Sequence, residues 1–472
     1  MEAFNSFIKT LDDYVWGVPL IVLILACGIW LSIRVGFLQV HKLGKALRYM
    51  VRDEENGNGE VSSFAALCTA LSATVGTGNI VGVATAIAAG GPGALFWMEI
   101  AAFFGMATKY AEGLLAVRYR TRTEDGSILG GPFYYIEHGL GEKWKWLGKL
   151  FALFGLLAGL MGIGTITQIN GITSAANHFF DPQAQHTLHV LGGEFTLTTV
   201  IAGLLITVCV ALIVIGGIRR IASVSECIVP AMIVIYVGCC LIIILCHITE
   251  VPAAVMTVLR GAFGLRPIAG GAAGFAVVRA SMRSGVARGI FSNEAGLGSA
   301  PIAAAAARTR EPVRQGLVTM TGTFIDTILV CTMTGLSIVM AGSYEKGLEG
   351  VEITTDAFRY GLPFPEKISS LLLMVCLAFF AFTTILGWNY YSERCLAYLA
   401  GPGHNLTKLY RWIYVAAVAI GPYLTVEAVW NIADIFNGLM ALPNVIALIG
   451  LSGVVASETR DYMQRLKNGE VK

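Results

Sequence analysis

Eleven apolar runs, each near the ~20 residues that carry a helix across a bilayer, alternate with polar stretches along this chain. They fall at about 17–39, 62–89, 93–117, 147–177, 196–217, 223–247, 285–307, 315–342, 368–398, 411–430 and 433–456. The second run is interrupted at its middle by Ser72-Ala73-Thr74-Val75-Gly76-Thr77-Gly78-Asn79. Two glycines flanking one residue, among β-branched and hydroxyl side chains, weaken a helix at that point. Backbone groups freed inside hydrocarbon persist only where protein or a polar cavity satisfies them. A broken helix at mid-membrane therefore predicts a polar site there, suited to a small zwitterion or an ion.

The seventh run is preceded by Arg279, Arg283 and Arg288 and contains Glu294, so residues 250–284 are read as an interfacial, partly helical lead-in. Its own interruption, Glu294-Ala295-Gly296-Leu297-Gly298-Ser299, repeats the Gly-x-Gly and small polar residue of the second run. The two lie five spans apart, and an odd offset reverses orientation, as an inverted repeat demands. The expected fold is an all-α polytopic membrane protein. One extra helix and its loop (1–61) precede a first repeat (62–249), the interfacial segment (250–284), a second repeat (285–456) and a tail (457–472).

Lysine and arginine set the orientation. With eleven spans and the N-terminus outside, 23 of these residues fall on inward loops and six on outward ones, leaving Lys109, Arg279, Arg283 and Arg288 near the membrane. The C-terminus is then cytoplasmic. Residues 1–16 carry Asp12 and Asp13 against Lys9 alone, the wrong start for a cleaved signal, so uncleaved insertion is expected.

Composition agrees: 55% of residues are hydrophobic and 14% charged, with a mean hydropathy of +0.68, where a soluble chain carries about 25% charged residues. A net charge of +2, with no basic face interleaved with aromatics, gives no reason to expect nucleic acid. The ten cysteines sit mostly in apolar runs, in neither a disulfide nor a zinc pattern.

Several residues in these runs could carry chemistry. The N–H groups of Thr77 and Gly78 open the second half of the broken helix, an end that suits a carboxylate. Carbonyls around Ser72 to Val75 end the first half and suit a cation or ammonium, with the Asn79 side chain nearby. Phe291-Ser292-Asn293-Glu294 sets polar groups beside an aromatic ring; Glu294, as an intramembrane acid, is a functional candidate for an ammonium, a cation or Arg288. Gln168, after Gly162-Ile163-Gly164, could touch a solute or bond another helix. The adjacent hydroxyls of Thr383 and Thr384 are hard oxygen donors for a small cation, or else bond back to their own helix. Trp388, one turn beyond Thr384, could cap substrate size or simply pack. Glu99, Lys109, Glu112 and Asp326 are read as structural.

The motif Ser72–Ala84, Gly-Gly-Pro-Gly-Ala at 90–94, Gly-Gly-Pro at 130–132 and Phe-Ser-Asn-Glu-Ala-Gly-Leu-Gly-Ser-Ala-Pro at 291–301 resemble the alanine or glycine:cation symporters. The resemblance runs over nearly the whole chain. It implies a LeuT-type fold of eleven helices, a five-plus-five inverted repeat behind one extra helix, and uptake of alanine or glycine coupled to sodium or, in some members, protons. The first motif is also similar to the Ala-Val-Gly-Leu-Gly-Asn break of neurotransmitter:sodium symporters. By that match Thr77 and Gly78 bind the substrate carboxylate through backbone N–H groups. Ser72 and Val75 offer carbonyls, and Thr383 and Thr384 hydroxyls, to one sodium ion. Gln168, Phe291 and Trp388 line the substrate pocket. Thr74 and Asn79 fit part of a second sodium site whose remaining partners the sequence does not reveal.

The expected function is secondary active transport: Na+-coupled symport of L-alanine or glycine into the cell by alternating access, in the plasma (inner) membrane of a bacterium. D-alanine and H+ coupling stay open, and a monomer among membrane lipids is favoured. A passive channel is the chief rival, since broken helices also line channels; paired breaks in inverted repeats favour a carrier. An enzyme is disfavoured, because no nucleophile–base pair or metal motif is present.

Overall fold

The computed structural model describes every residue except 1, 53, 55–56, 58, 123–127, 191–192, 265–270, 402–405, 425–426 and 472. Arg266 and Lys472, both counted in the charge argument, lie outside the described residues. Each apolar run coincides with a helix or a pair of helices. Among the described residues seven helices are long and apolar enough to cross a membrane, or nine if each sharply bent pair is one span. The two further runs are 285–307, whose helix is rich in arginine, and 411–430, where Leu406–Ile420 is only 15 residues long. Two short antiparallel hairpins, Thr121–Arg122 with Ile128–Leu129 and Thr187–Val190 with Gly193–Thr196, decorate the helices.

The second run is broken as its glycines require. Helix Ser63–Thr74 ends and Gly78–Gly90 begins, with a bend of 54° between them. The seventh run breaks as well, but its first half differs from the sequence reading. A continuous helix spans Gly271–Asn293, crossing the boundary placed at 285. Its arginines include Arg283, which meets Asp13 at 3.0 Å, and Arg288, which lies over the Phe291 ring. Glu294–Ser299 is non-helical, with positive φ at Glu294 (54°), Gly296 (91°) and Gly298 (82°), and helix resumes over Ala300–Ala304. A further interruption, Gly162–Thr165, divides Lys145–Met161 from Ile166–Phe180. Here Gly162-Ile163-Gly164 acts as a break, which the sequence reading had passed over in favour of Gln168.

Helix Gly93–Arg118 is the scaffold of one half, packing on Pro312–Thr323 and on Gly271–Asn293. Lys145–Met161 packs on Glu366–Ala400 and Glu427–Gly450 to form the other half. Leu197–Val214 exposes Ile201, Leu204, Leu205, Val208 and Leu212 on its outer face, as expected of a helix bathed in lipid. After Gly450 the chain turns by 56° into Ser452–Lys467, whose polar sequence suits the tail.

Past the end of each broken span the two repeats touch through main chain. Val61 pairs with Ala307 in a parallel bridge; the Glu60 N–H donates to Ala306 (2.9 Å) and the Arg308 N–H to Val61 (2.7 Å). The Arg120 guanidinium donates to the carbonyls of Ala305, Ala307 and Thr309 at 2.9, 2.8 and 2.6 Å. This seal lies at the opposite end of the first broken span from the cavity described next.

Candidate functional site

A cavity of about 1050 Å³ descends to the first break and ends on Thr77, Gly78 and Phe291. Asn170, Ser174, Arg288 and Asp434 line its walls, and His178, Glu349 and Glu352 its mouth. Its floor is made by rerouted hydrogen bonds. In an unbroken helix the Gly76 N–H would close on Ser72 and the Asn79 N–H on Val75. Instead Gly76 donates to the Asn79 side-chain oxygen (2.9 Å) and the Asn79 N–H to the Gly76 carbonyl (3.2 Å). The carbonyls of Ser72 and Val75 thereby lose their helical donors. The Thr77 N–H has no protein acceptor among the described residues.

Helix Glu366–Ala400 approaches this break closely, with Gly387 against Ala73. The hydroxyls of Thr383 and Thr384 both donate to the Phe380 carbonyl, at 3.0 and 2.9 Å, which fixes their rotamers and leaves their lone pairs available. Thr384 faces the break: a Cβ on Gly76 would sit 2.5 Å from its Oγ1. Thr383 also lies 3.5 Å from the Met232 sulfur. Thr384 and Gly76, more than 300 positions apart in sequence, thus meet in the interior, where Ser72, Val75 and Thr383 are also buried. Gln168 is buried beside Gly76, and its Oε1 lacks a partner among the described residues.

The second break contributes differently from its sequence reading. Of Phe291, Ser292, Asn293 and Glu294, only Phe291 reaches the cavity wall. The Ser292 hydroxyl donates to Asp326 (2.9 Å), and the Asn293 amide to Thr327 (3.1 Å). Glu294 accepts from the Ser299 hydroxyl and, at 3.1 Å, from the Trp388 indole N–H, so its oxygens turn away from the cavity and from Arg288. Trp388 is wholly buried beneath the site rather than on its wall. Thr74 bonds back to Ala70 (3.3 Å) and stays apart from Asn79 in this respect.

Sequence reasoning missed that Asp326 joins the two breaks. Its helix, Pro312–Ala341, opens into a π-helical stretch at Phe324–Cys331, a distortion often found at functional positions. The wholly buried Asp326 carboxylate accepts from Asn79 (2.9 Å), Ser292 and Thr327 (2.7 Å), tying both breaks to one acid. Lys109 is buried within electrostatic reach of Asp326, Glu112 and Glu294. The signal available in sequence was only that an intramembrane acid is costly.

Two interrupted helices meeting under a polar cavity define a multi-pass membrane protein of the LeuT architecture. In agreement, the fold is similar to that of MhsT, solved in complex with L-phenylalanine (TM-score 0.52, 12% identity, 85% of this chain and 98% of that one). The profile of the Sodium:alanine symporter family matches residues 1–472, and the chain belongs to that family. It is 43% identical over 98% of both chains to the sodium/alanine symporter AgcS of Methanococcus maripaludis. It is also 52% identical, over 98% of this chain and 97% of the other, to an uncharacterised transporter of Haemophilus influenzae. The protein is therefore a transporter and not an enzyme.

Proposed function

We propose that the protein imports a small neutral amino acid, alanine or glycine, together with Na+ by alternating access across the bacterial inner membrane. The carrying observation is the pair of carbonyls at Ser72 and Val75, stripped of their helical donors, at a break that the Thr384 hydroxyl approaches beside Gly76. Such carbonyl and hydroxyl oxygens in a buried place suit Na+, which Thr383 would also reach, and its binding would clamp helix Glu366–Ala400 to the first break. The substrate carboxylate would lie on the Thr77 and Gly78 N–H groups at the positive end of the second half-helix. Its ammonium would meet the unpartnered Gln168 Oε1. Phe291 would cover the bound side chain, and Trp388, held by Glu294, would limit its size from below.

Eleven crossings, with the N-terminus outside, put the cavity mouth outside and the main-chain seal on the cytoplasmic side, an outward-facing state. A second coupling ion would sit on the Asp326 carboxylate beside the Ser292 and Thr327 hydroxyls, with Asn79 holding that carboxylate from its amide side; a proton there in place of Na+ is the second reading, favoured by the full burial of that carboxylate. Uptake of labelled alanine into proteoliposomes under imposed Na+ or H+ gradients, competed by a panel of small amino acids, tests both. Accumulation against the alanine gradient only with inward Na+ is expected. Equilibration without accumulation would mean a passive channel.

A further inference from the structure

The two Gly-x-Gly breaks correspond position by position, Gly76 with Gly296 and Gly78 with Gly298; the first amide of each donates to a side-chain oxygen, of Asn79 and of Glu112, but the second amides differ. At the first break the Thr77 and Gly78 segment faces the cavity. At the second, the N–H groups of Gly296 and Gly298 both donate to one oxygen of Glu112, at 3.1 and 3.2 Å. Positive φ at both glycines turns their N–H groups to the same side, forming a concave backbone anion site. Asn444, from helix Glu427–Gly450, completes it by donating to the same Glu112 oxygen at 2.7 Å and to the Gly296 carbonyl at 2.8 Å. The Tyr135 hydroxyl in turn donates to Asn444. Glu112 is wholly buried, and its other oxygen has no hydrogen-bond partner among the described residues.

We propose that Glu112 is the permanent, built-in carboxylate of the second break, filling by a side chain the anion site that the first break leaves for the cargo. Resting on the reading that the first break takes the cargo carboxylate, this explains how inverted repeats with matching motifs hold a single amino-acid site. It also gives Glu112 a positioning role. The residue fastens the non-helical segment Glu294–Ser299, and through it Glu294 and Trp388, to scaffold helix Gly93–Arg118. Asn444 joins the last span to the same point.

The test is chemical rescue. In Glu112→Ala the missing atoms are those of acetate, and the amides of Gly296 and Gly298 are left without an acceptor. Losing charge-assisted hydrogen bonds should lower the maximal rate of Na+-driven alanine uptake at least about tenfold, with the alanine KM moving far less. Tens of millimolar acetate should restore part of that rate. It should also raise the Tm of the purified variant measured without alanine or Na+, and leave wild-type Tm unmoved. Because that melting experiment contains no cargo, its failure would overturn the Glu112 assignment alone and leave the reading of the first break untouched. Glu112→Gln keeps an acceptor oxygen and should retain most transport. A folded Glu112→Gln below a tenth of wild-type uptake would assign the work of Glu112 to its charge beside Lys109, overturning the amide grip even if Glu112→Ala cannot be recovered.

Discussion

Gly76→Ala isolates the proposed ion site with one methyl group. The new Cβ would stand 2.5 Å from Thr384 Oγ1 and 3.6 Å from Gln168 Oε1. The Thr384 hydroxyl cannot simply rotate away, because its bond to Phe380 at 2.9 Å fixes it, so helix Glu366–Ala400 or the break must shift. Overpacking of this kind costs about 1–3 kcal/mol. Charged to the Na+-bound geometry, where break and helix must be closest, that is a rise of between about fivefold and a hundredfold in the Na+ concentration for half-maximal uptake. Initial rates of labelled alanine uptake against Na+ concentration in proteoliposomes measure it. Gly82→Ala, in the same span, is the control: it is helical (φ −63°, ψ −41°), no atom lies within 4 Å of its would-be Cβ, and its Na+ dependence should match wild type. A folded, transporting Gly76→Ala protein with unaltered Na+ dependence would refute the placement of the ion between Thr384 and the first break.

Trp388→Ala should admit larger amino acids, whereas Trp388→Phe should stay selective while losing the bond to Glu294; competition of alanine uptake by a graded series of side chains decides it. An unchanged profile with transport intact would make Trp388 a packing residue, and its removal should in any case cost several kcal/mol, roughly 3–5, of stability. Asp326→Asn should reduce the ion cooperativity of uptake to that of a single site, because a neutral amide is a weaker cation ligand than a carboxylate. A Hill coefficient and rate equal to wild type would leave Asp326 a purely structural clamp.

The breaks were legible because Gly-x-Gly with small polar flanks is a local backbone statement, readable without knowing any neighbour. The adjacent threonines at 383 and 384 read as a hard-oxygen pair for the same reason, and the structure sets Thr384 against the first break. What faces them was not. Asp326 bonds to Asn79 across 247 positions, and the Trp388 indole meets Glu294 across 94; no periodicity encodes such pairings. The reach of helix Gly271–Asn293 was hidden by its arginines, which argue against burial in lipid although some of them lie at the protein's own cavity and surface. Gly162-Ile163-Gly164 shows the converse: the spacing was visible, but only packing against Trp388 and Tyr414 tells a break from a close helix contact.

The seal beyond the broken spans is written mostly in peptide groups, which every residue but proline supplies alike. Its side chains have little room to change: Ala305, Ala306 and Ala307 are buried, and at Gly57 and Gly59 any β-carbon would stand 2.4 Å from main-chain atoms of Arg308 and Ala307. A lineage could thus retune what it carries by editing the pocket while its shutter stays the same. Over evolutionary time, selectivity and closure are free to drift apart.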